Sequence, residues 1–336
     1  MSLISTRGAA SARGFGLFAA SAGCCLNDGN KAIFALGGGG NTTVRNKYTY
    51  ATCASTACGV AAQSFASSFQ SAAGNNTRGI FALGEPQGSG IPSNTRDKYT
   101  YSGCTSTSSG VGTASIPAER GAAAGNNTRG IFALGARYCC GSGAFVRLTT
   151  RNKYTYASCT STACCVAAAS VASQRGSAAG NSTRGIFTLG CGCGATTTRN
   201  KYTYASCTST ASGVASASAT GIVGSAAGNS TRGIFALGRN PCTGIGRNTR
   251  NKYTYACCTS TASGVAVSTY GSALGSAAGN STRGIFAIGI ASCCGSGATR
   301  DKYTYACCTS TASGVGAASN LNNAGSAASW ATCVNT

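Results

Sequence analysis

The chain of 336 residues repeats itself six times, and this repetition constrains its fold more than any other feature. The string Lys-Tyr-Thr-Tyr begins at Lys47, Lys98, Lys153, Lys201, Lys252 and Lys302, so successive copies lie 48 to 55 residues apart. A second string, Gly-Ile-Phe-Ala-Leu-Gly with small variations, occurs once in each copy. A fixed period of this length indicates one supersecondary unit that is repeated and packed against its neighbours.

We divide the chain, as one domain spanning 1–336, into six units and two extra terminal strands. The units span 19–70, 71–121, 122–176, 177–224, 225–275 and 276–323, and the extra strands lie in 1–18 and 324–336. Short segments bounded by Gly, Asn or Ser are typical of strands, and a helical period is absent. The predicted strands, taken from the fourth and fifth repeats, are Ser225–Gly228, Gly233–Leu237, Lys252–Thr259 and Val265–Ser268.

The second segment of each unit is apolar on both faces. In one copy Ile80 and Ala82 point to one side of the strand, and Phe81 and Leu83 point to the other. Four-stranded units of about 50 residues, covered on both faces by their neighbours, predict an all-β propeller with one blade per unit. The terminal strands leave three alternatives open: a degenerate seventh blade, a clamp that closes a six-bladed ring, or pairing with a neighbouring molecule.

The glycine-terminated Ile-Phe-Ala-Leu-Gly strand, followed by a Tyr-rich strand and a Thr/Ser-rich turn, resembles kelch-like β-propeller repeats over roughly residues 7–325. The chain departs from that pattern because kelch repeats usually carry a Trp near the fourth strand, whereas its single Trp is Trp330. The resemblance implies the propeller fold but no particular activity, since propellers host many functions.

The residues needed for most catalysis are missing. The chain has no His, and its five carboxylates are scattered as Asp28, Glu85, Asp97, Glu119 and Asp301. General acid–base chemistry near neutral pH mostly uses His or paired carboxylates. We therefore expect no enzyme, no cofactor and no metal, and no apolar run is long enough for membrane insertion.

The charge is strongly basic and periodic, with 26 Lys+Arg against 5 Asp+Glu and a net charge of +21. Seventeen cations occupy three repeat positions: Arg78, Arg129, Arg184, Arg232 and Arg283; Arg45, Arg96, Arg151, Arg199, Arg250 and Arg300; and Lys47, Lys98, Lys153, Lys201, Lys252 and Lys302. One interpretation is a set of rings that binds a polyanion such as nucleic acid or acidic polysaccharide. The alternative is that each arginine binds carbonyls or stacks on a neighbouring aromatic ring.

Cysteine is frequent, with 21 residues. One repeat position carries Cys in all six units, and in two units a second Cys follows five residues later, so Cys53 with Cys58 and Cys159 with Cys164 are candidate disulfides. Such bonds favour an extracellular or cell-surface location over the cytoplasm, where the thiols would be reduced. The Asn-x-Ser/Thr triplets at Asn75, Asn126, Asn181, Asn229 and Asn280 read formally as glycosylation acceptors, but Gly-Asn also suits a tight turn.

These observations predict a structural or interaction propeller that self-assembles into oligomers or filaments. The predicted partner is a second copy of the chain or another protein. The alternative is the polyanion-binding module described above. Specific contacts are expected from the loops that differ most among units, since loops usually carry propeller specificity. These loops are 37–44, 85–93, 136–149, 191–198, 239–248 and 290–299.

Overall fold

The computed structural model describes residues 31–37, 42–139, 144–191, 194, 196–291, 295–319 and 324–329. These residues form strands and turns and contain no helix. Six four-stranded antiparallel sheets are arranged as the blades of a six-bladed β-propeller, which confirms the predicted fold class. In this part of the chain no helix is long and apolar enough to span a membrane.

Each blade contains an inner, a second, a third and an outer strand, counted from the central channel. In blades 1 to 6 the inner strands are Ser326–Ser329, Ser71–Gly74, Ala122–Gly125, Ala178–Gly180, Ser225–Gly228 and Ser276–Gly279. The second strands are Lys31–Ala35, Arg78–Ala82, Arg129–Ala133, Arg184–Thr188, Arg232–Ala236 and Arg283–Ala287. The third strands are Arg45–Thr49, Arg96–Thr100, Arg151–Thr155, Arg199–Thr203, Arg250–Thr254 and Arg300–Thr304. The outer strands are Ala54–Thr56, Thr105–Thr107, Thr160–Thr162, Thr208–Thr210, Thr259–Thr261 and Thr309–Thr311.

Seven shorter strands pair outside the blades, on the face that carries the loops between second and third strands. They are Ser67–Ser68 with Glu85–Pro86, Ala136–Cys139 with Ala144–Arg147, and Ser272–Ala273 with Ile290–Ala291 and Gly295–Ser296.

Two predicted strand positions are corrected by the structure. The segment predicted as Lys252–Thr259 contains a turn after Thr254, in which Cys258 adopts a φ of 55°, and Thr259 already belongs to the outer strand. The segment predicted as the fourth strand, Val265–Ser268, lies beyond the outer strand in the connection to the next blade. Its backbone bonds to the turn of that blade, where the Ala266 N–H donates to the Cys308 carbonyl.

The C-terminal strand closes the ring. It occupies the inner position of blade 1 and pairs antiparallel with Lys31–Ala35, with Ala327 opposite Phe34 and Ala328 opposite Ile33. Of the three alternatives for this strand, the clamp on a six-bladed ring is the one observed. The other extra strand, predicted in residues 1–18, lies outside the described residues.

The core lies between blades rather than within them. In a typical interface, Ile80 of blade 2 packs with Phe132, Tyr154 and Tyr156 of blade 3, and all four side chains are at most 2% exposed. The second strands are therefore covered on both faces, as their apolar pattern predicts. The paired tyrosines of the third strand also contact each other, with ring centroids 5.9 Å apart in Tyr154 and Tyr156.

A buried arginine joins every blade to the next. Arg151 begins the third strand of blade 3 and is 1% exposed. Its guanidinium lies over the Phe187 ring of blade 4 at 4.8 Å and donates to the Ser209 hydroxyl at 2.6 Å and to Asn200 Oδ1 at 3.0 Å. It also donates to the Ala168 carbonyl in the connection between the blades at 3.0 Å. Cation–π contact and hydrogen bonds together fix the angle between neighbouring blades.

The acceptor of this arginine is the residue that follows the equivalent arginine in the next blade. It is Asn in four blades and Asp in two, and the six contacts form a closed circuit around the ring. The same side chain anchors the connection behind it, because Asn200 accepts from the Ser170 N–H and donates to the Ser170 hydroxyl. We call this circuit of Arg and Asn/Asp side chains the interblade relay.

Burial makes the charge of the relay arginines costly. It lowers the pKa of Arg96 and Arg151 to about 10, since only a neutral Asn faces each guanidinium. Arg45 instead pairs with Asp97 at 2.9 Å, and this carboxylate opposes the effect of burial on the arginine pKa.

The relay predicts opposite effects for two reciprocal substitutions. Asp97→Asn keeps the hydrogen-bond pattern seen at Asn200 but removes the countercharge of Arg45, so the free energy of unfolding should fall by about 1–3 kcal/mol. Asn200→Asp gives Arg151 a countercharge and should raise the free energy of unfolding. Urea denaturation at pH 7 measures both, and Asn248→Asp is an exposed control with the same charge change as Asn200→Asp. Equal stability of Asp97→Asn and the parent chain would contradict the account.

Candidate functional site

The seventeen repeat cations fall into three structural groups. The first group is the six relay arginines, which are 0–1% exposed. Side chains that are closed off from solvent cannot contact a polymer. The prediction that these six arginines bind a polyanion is therefore wrong, and they pack between blades instead. They are Arg45, Arg96, Arg151, Arg199, Arg250 and Arg300. Their contacts match the alternative interpretation, in which arginines bind carbonyls and stack on aromatic rings.

The second group begins the second strands and is half-buried. Arg129 of blade 3 donates to the Tyr204 carbonyl of blade 4 at 2.9 Å and reaches the Cys207 thiol at 3.7 Å. The equivalent arginines make the same carbonyl contact at 2.7–2.9 Å; they are Arg78, Arg184, Arg232 and Arg283.

The third group is the lysine of each third strand. Lys47 is buried, and the other five are half-buried. Lys98 Nζ lies 3.9 Å from the Cys159 thiol of the next blade. The second and third groups therefore lie along the grooves between blades, and their role in binding a polyanion stays a prediction.

The two predicted disulfides are absent. Cys53, Cys58, Cys159 and Cys164 are all free thiols. Cys53 and Cys159 point back toward the carbonyls of Tyr50 and Tyr156 at 3.8 Å, whereas Cys58 and Cys164 are exposed beyond the outer strands. Cys104, at the equivalent position of blade 2, is disulfide-bonded. Among the described residues, no three Cys, Asp or Glu side chains cluster as metal ligands would.

The asparagines of the Asn-x-Ser/Thr triplets organise the turns between inner and second strands. Asn181 Oδ1 accepts from the Thr183 and Arg184 N–H groups at 3.0 Å. Asn181 Nδ2 donates to the Ser230 carbonyl of the next blade at 3.0 Å. The amide nitrogen that glycosylation would modify is thus used in a contact between blades, which supports the turn interpretation.

The inner strands line a central channel of about 100 Å³ with alanine and glycine. Glycine is required where tyrosines of the third strand reach inward. A Cβ on Gly125 would lie 2.7 Å from the Tyr156 hydroxyl. The channel wall is consequently small, nearly uniform and almost without functional groups.

One opening of this channel differs from the rest of the molecule. It lies on the loop face, which we define as the face formed by the loops between second and third strands and by the connections between blades. Six non-glycine residues with φ of 54–61° surround it, one per blade. We call this opening the mouth, and its residues are Phe69, Arg120, Arg175, Val223, Leu274 and Ala324.

The backbone of the mouth forms a closed hydrogen-bonded ring. The Arg120 N–H donates to the Phe69 carbonyl, the Arg175 N–H donates to the Arg120 carbonyl, and the pattern continues around all six blades at 2.7–3.3 Å. The last link runs from the Gln70 N–H to the Ala324 carbonyl. Left-handed backbone is unfavourable for residues with a side chain, and such conformations concentrate at functional sites.

The side chains of the mouth break the sixfold repetition. Arg120 and Arg175 are adjacent on one side, whereas Val223, Leu274 and Ala324 form an apolar opposite side. Two neighbouring positions also vary among the blades: the residue that precedes the left-handed position, and the residue that follows the glycine after the second strand. Charged residues at these positions are Glu119, Glu85 and Arg239, and apolar ones are Ile222, Ala273 and Ile290.

The charged side is built around a buried carboxyl group. Glu119 is 1% exposed and pairs with Arg120 Nε at 2.8 Å. Burial raises the pKa of Glu119 to about 8; Arg120 opposes this rise, and a hydrogen bond that the protonated Glu119 carboxyl donates to Glu85 adds to it. Arg120 is itself fixed between the Phe69 and Phe145 rings, each at 4.6 Å.

Sequence reasoning missed this site because its residues are dispersed over all six blades. The variable loops were identified, but Arg120 and Arg175 lie just before inner strands, outside those ranges. The available signal was the alignment of the repeats, in which this position is the one that changes from Arg to Phe, Val, Leu and Ala.

Comparison with known proteins supports the fold alone. No protein-family model and no curated protein matches the chain. A solved structure described as "Structure of YjhT" is similar with a TM-score of 0.59 and 10% sequence identity, over 78% of this chain and 87% of that chain. At this identity the similarity extends to the architecture and not to the site.

The raised pKa of Glu119 predicts a pH-dependent stability. Between about pH 4.5, the ordinary pKa, and about pH 8, the folded chain binds a proton that the unfolded chain has lost, so stability falls as pH rises. Glu119→Gln should remove this fall in the free energy of unfolding, which is at most about 1.4 kcal/mol per pH unit. Urea denaturation from pH 5 to pH 9 measures it. Parallel stability curves for the two proteins would show that Glu119 titrates normally.

Proposed function

We propose that this protein is a non-catalytic interaction module whose loop face binds an acidic segment of a partner protein. The observation that carries the proposal is the position of the exposed large apolar side chains. All seven among the described residues lie in the loops between second and third strands or in the connections between blades. They are Ile91, Phe145, Val146, Val171, Ile245, Val267 and Tyr270, between 38% and 61% exposed.

The same face carries the arginines that do not belong to the repeat. Nine cations lie outside the three repeat positions, and six of them are in these loops and connections: Arg120, Arg137, Arg147, Arg175, Arg239 and Arg247. The hairpin of blade 3 shows the combination most clearly, since exposed Val146 lies opposite exposed Arg137 and between Phe145 and Arg147 in the chain, which are also exposed. Arginine beside aromatic and aliphatic side chains is typical of protein interfaces.

The charge of this face favours an acidic partner over a second copy of the chain. Its described carboxylates are Glu85 and the buried Glu119, so two loop faces brought together would repel each other. The C-terminal strand also closes the ring of its own chain, which removes one route to assembly through that strand. Self-assembly is thus less well supported than binding of a different protein.

A purely electrostatic polyanion module is the second candidate, supported by the half-buried arginines and lysines in the grooves between blades. It differs from our proposal in using both faces and in needing no apolar contact. The absence of catalytic function is proposed because the chain has no His and because Asp97 and Asp301 are consumed in ion pairs with relay arginines. A kelch-type origin of the repeat fits the fold.

The proposal is tested with two double variants that lower the net charge equally. Arg137→Ala with Arg147→Ala changes the loop face, and Ala157→Glu with Ala205→Glu changes exposed turns on the opposite face. Binding of a synthetic peptide of alternating Glu and Leu, and of heparin, is measured by surface plasmon resonance between 50 and 300 mM salt. We expect the first variant to bind the peptide at least about tenfold more weakly and the second to bind it normally.

Phe145→Ser tests the apolar contribution and should also weaken peptide binding. Equal losses in both double variants would show that only net charge matters and would favour the polyanion candidate. Heparin binding that is tighter than peptide binding and unchanged by Phe145→Ser would also favour the polyanion candidate.

A further inference from the structure

The mouth carries a second inference, which goes beyond the proposed partner surface and does not depend on it. We propose that the mouth binds a small organic acid, with the carboxylate on Arg175 and a short branched apolar chain against Val223 and Leu274. The site adjoins the exposed hairpin of blade 3, whose Phe145 packs on Arg120, but it uses other residues, Arg175, Val223 and Leu274, and takes a smaller ligand.

The backbone of the mouth leaves recognition to its side chains. Each mouth carbonyl already accepts a hydrogen bond from the next blade. The Gln70 side chain, which also lines the mouth, already donates to Gln63 and Ser67 and accepts from Ser326. The guanidinium groups are the other polar side-chain groups of the described lining, and these only donate. A ligand that matches the mouth must therefore be an acceptor, and a carboxylate matches the planar fork of Arg in two parallel bonds.

Arg175 is the guanidinium available for this role. Arg120 is already paired with Glu119 and lies between two phenyl rings. Among the described residues the Arg175 guanidinium makes no ion pair, and its Nε is buried without a hydrogen-bond partner, as is the Nε of several other arginines. Burial and the nearby charges of Arg120 and Arg239 lower the pKa of Arg175, and the smaller effects of Cys191 and Glu119 oppose this. A buried, unpaired donor beside two like charges is costly, and an anion relieves both costs.

The opposite side of the mouth selects for an apolar group. Val223 is 7% exposed and packs with Ile222 and Ala273, while the half-buried Leu274 completes this wall. The mouth encloses about 50 Å³ and is open to the loop face above. This space suits an acid group with a few carbon atoms and is too small for a nucleotide or a folded partner.

Phosphate and acetate are the informative alternatives. Both would reach Arg175, but neither would use the wall of Val223 and Leu274. A site that binds them as well as a branched acid would be a simple anion site without the proposed selectivity.

Isothermal titration calorimetry at pH 7 with isovalerate tests the assignment. Isovaleramide, which has the same shape without the charge, should bind at least about tenfold more weakly, and acetate and phosphate should also bind more weakly. Arg175→Gln should weaken isovalerate binding at least about tenfold, Leu274→Ala should weaken it severalfold, and Arg147→Gln should leave it unchanged. Arg175→Lys, which keeps the charge but not the fork, provides a second variant if Arg175→Gln does not fold.

The pH dependence supplies an independent check. Glu119 faces Arg120, Glu85 and Arg175, and its ionisation above about pH 8 adds a negative charge at the site. Isovalerate binding should weaken as pH rises from 7 to 9 in the parent chain and stay constant in Glu119→Gln. The proposal is overturned if isovaleramide, acetate or phosphate binds as tightly as isovalerate, if Arg175→Gln binds normally, or if isovalerate shows no binding at about 10 mM.

Discussion

The buried guanidinium between neighbouring blades is the interaction on which the rest of this structure depends. Each relay arginine contacts the phenylalanine, serine and Asn/Asp of the next blade, together with the connection that leads there. These contacts need a neighbour at a fixed angle, so every blade orients the following one. The circuit closes only when Arg300 of blade 6 reaches Asn46 of blade 1, at 3.3 Å. The C-terminal strand secures the same junction through the backbone.

This arrangement uses most of the repeated polar residues for structure. Relay arginines lie in the interior, turn asparagines connect blades at one end of the channel, and second-strand arginines bind carbonyls along the grooves. Function is then left to the positions where the units differ. Those positions lie on the loop face, where exposed apolar side chains, non-repeat arginines and the asymmetric mouth occur together. A symmetric frame with one asymmetric face is well suited to a single specific contact.

The sequence predicted what the period controls. The spacing of the repeats predicts the number of blades, and the alternation of apolar residues predicts the buried second strand. The clamp made by the C-terminal strand was one of three predicted alternatives. The outer strand was misplaced because Cys258 adopts a left-handed conformation that a Ser/Thr-rich stretch does not reveal. The disulfides failed because a five-residue separation says nothing about the direction of Cys53, which faces the Tyr50 carbonyl. Burial of Arg151 depends on Phe187 and Asn200 in another unit, which no local pattern shows. The extracellular location stays a prediction, because nothing in the structure tests the compartment.

The central claim is that the six relay arginines are enclosed between blades, whereas Arg137 and Arg147 are exposed on the loop face. Modification of the native protein with phenylglyoxal, followed by peptide mass spectrometry, measures this directly. The account predicts rapid modification of Arg137 and Arg147, and protection of Arg96, Arg151 and Arg199 until the protein unfolds. Modification of the relay arginines at the same rate as the hairpin arginines, while the fold is intact, would contradict it.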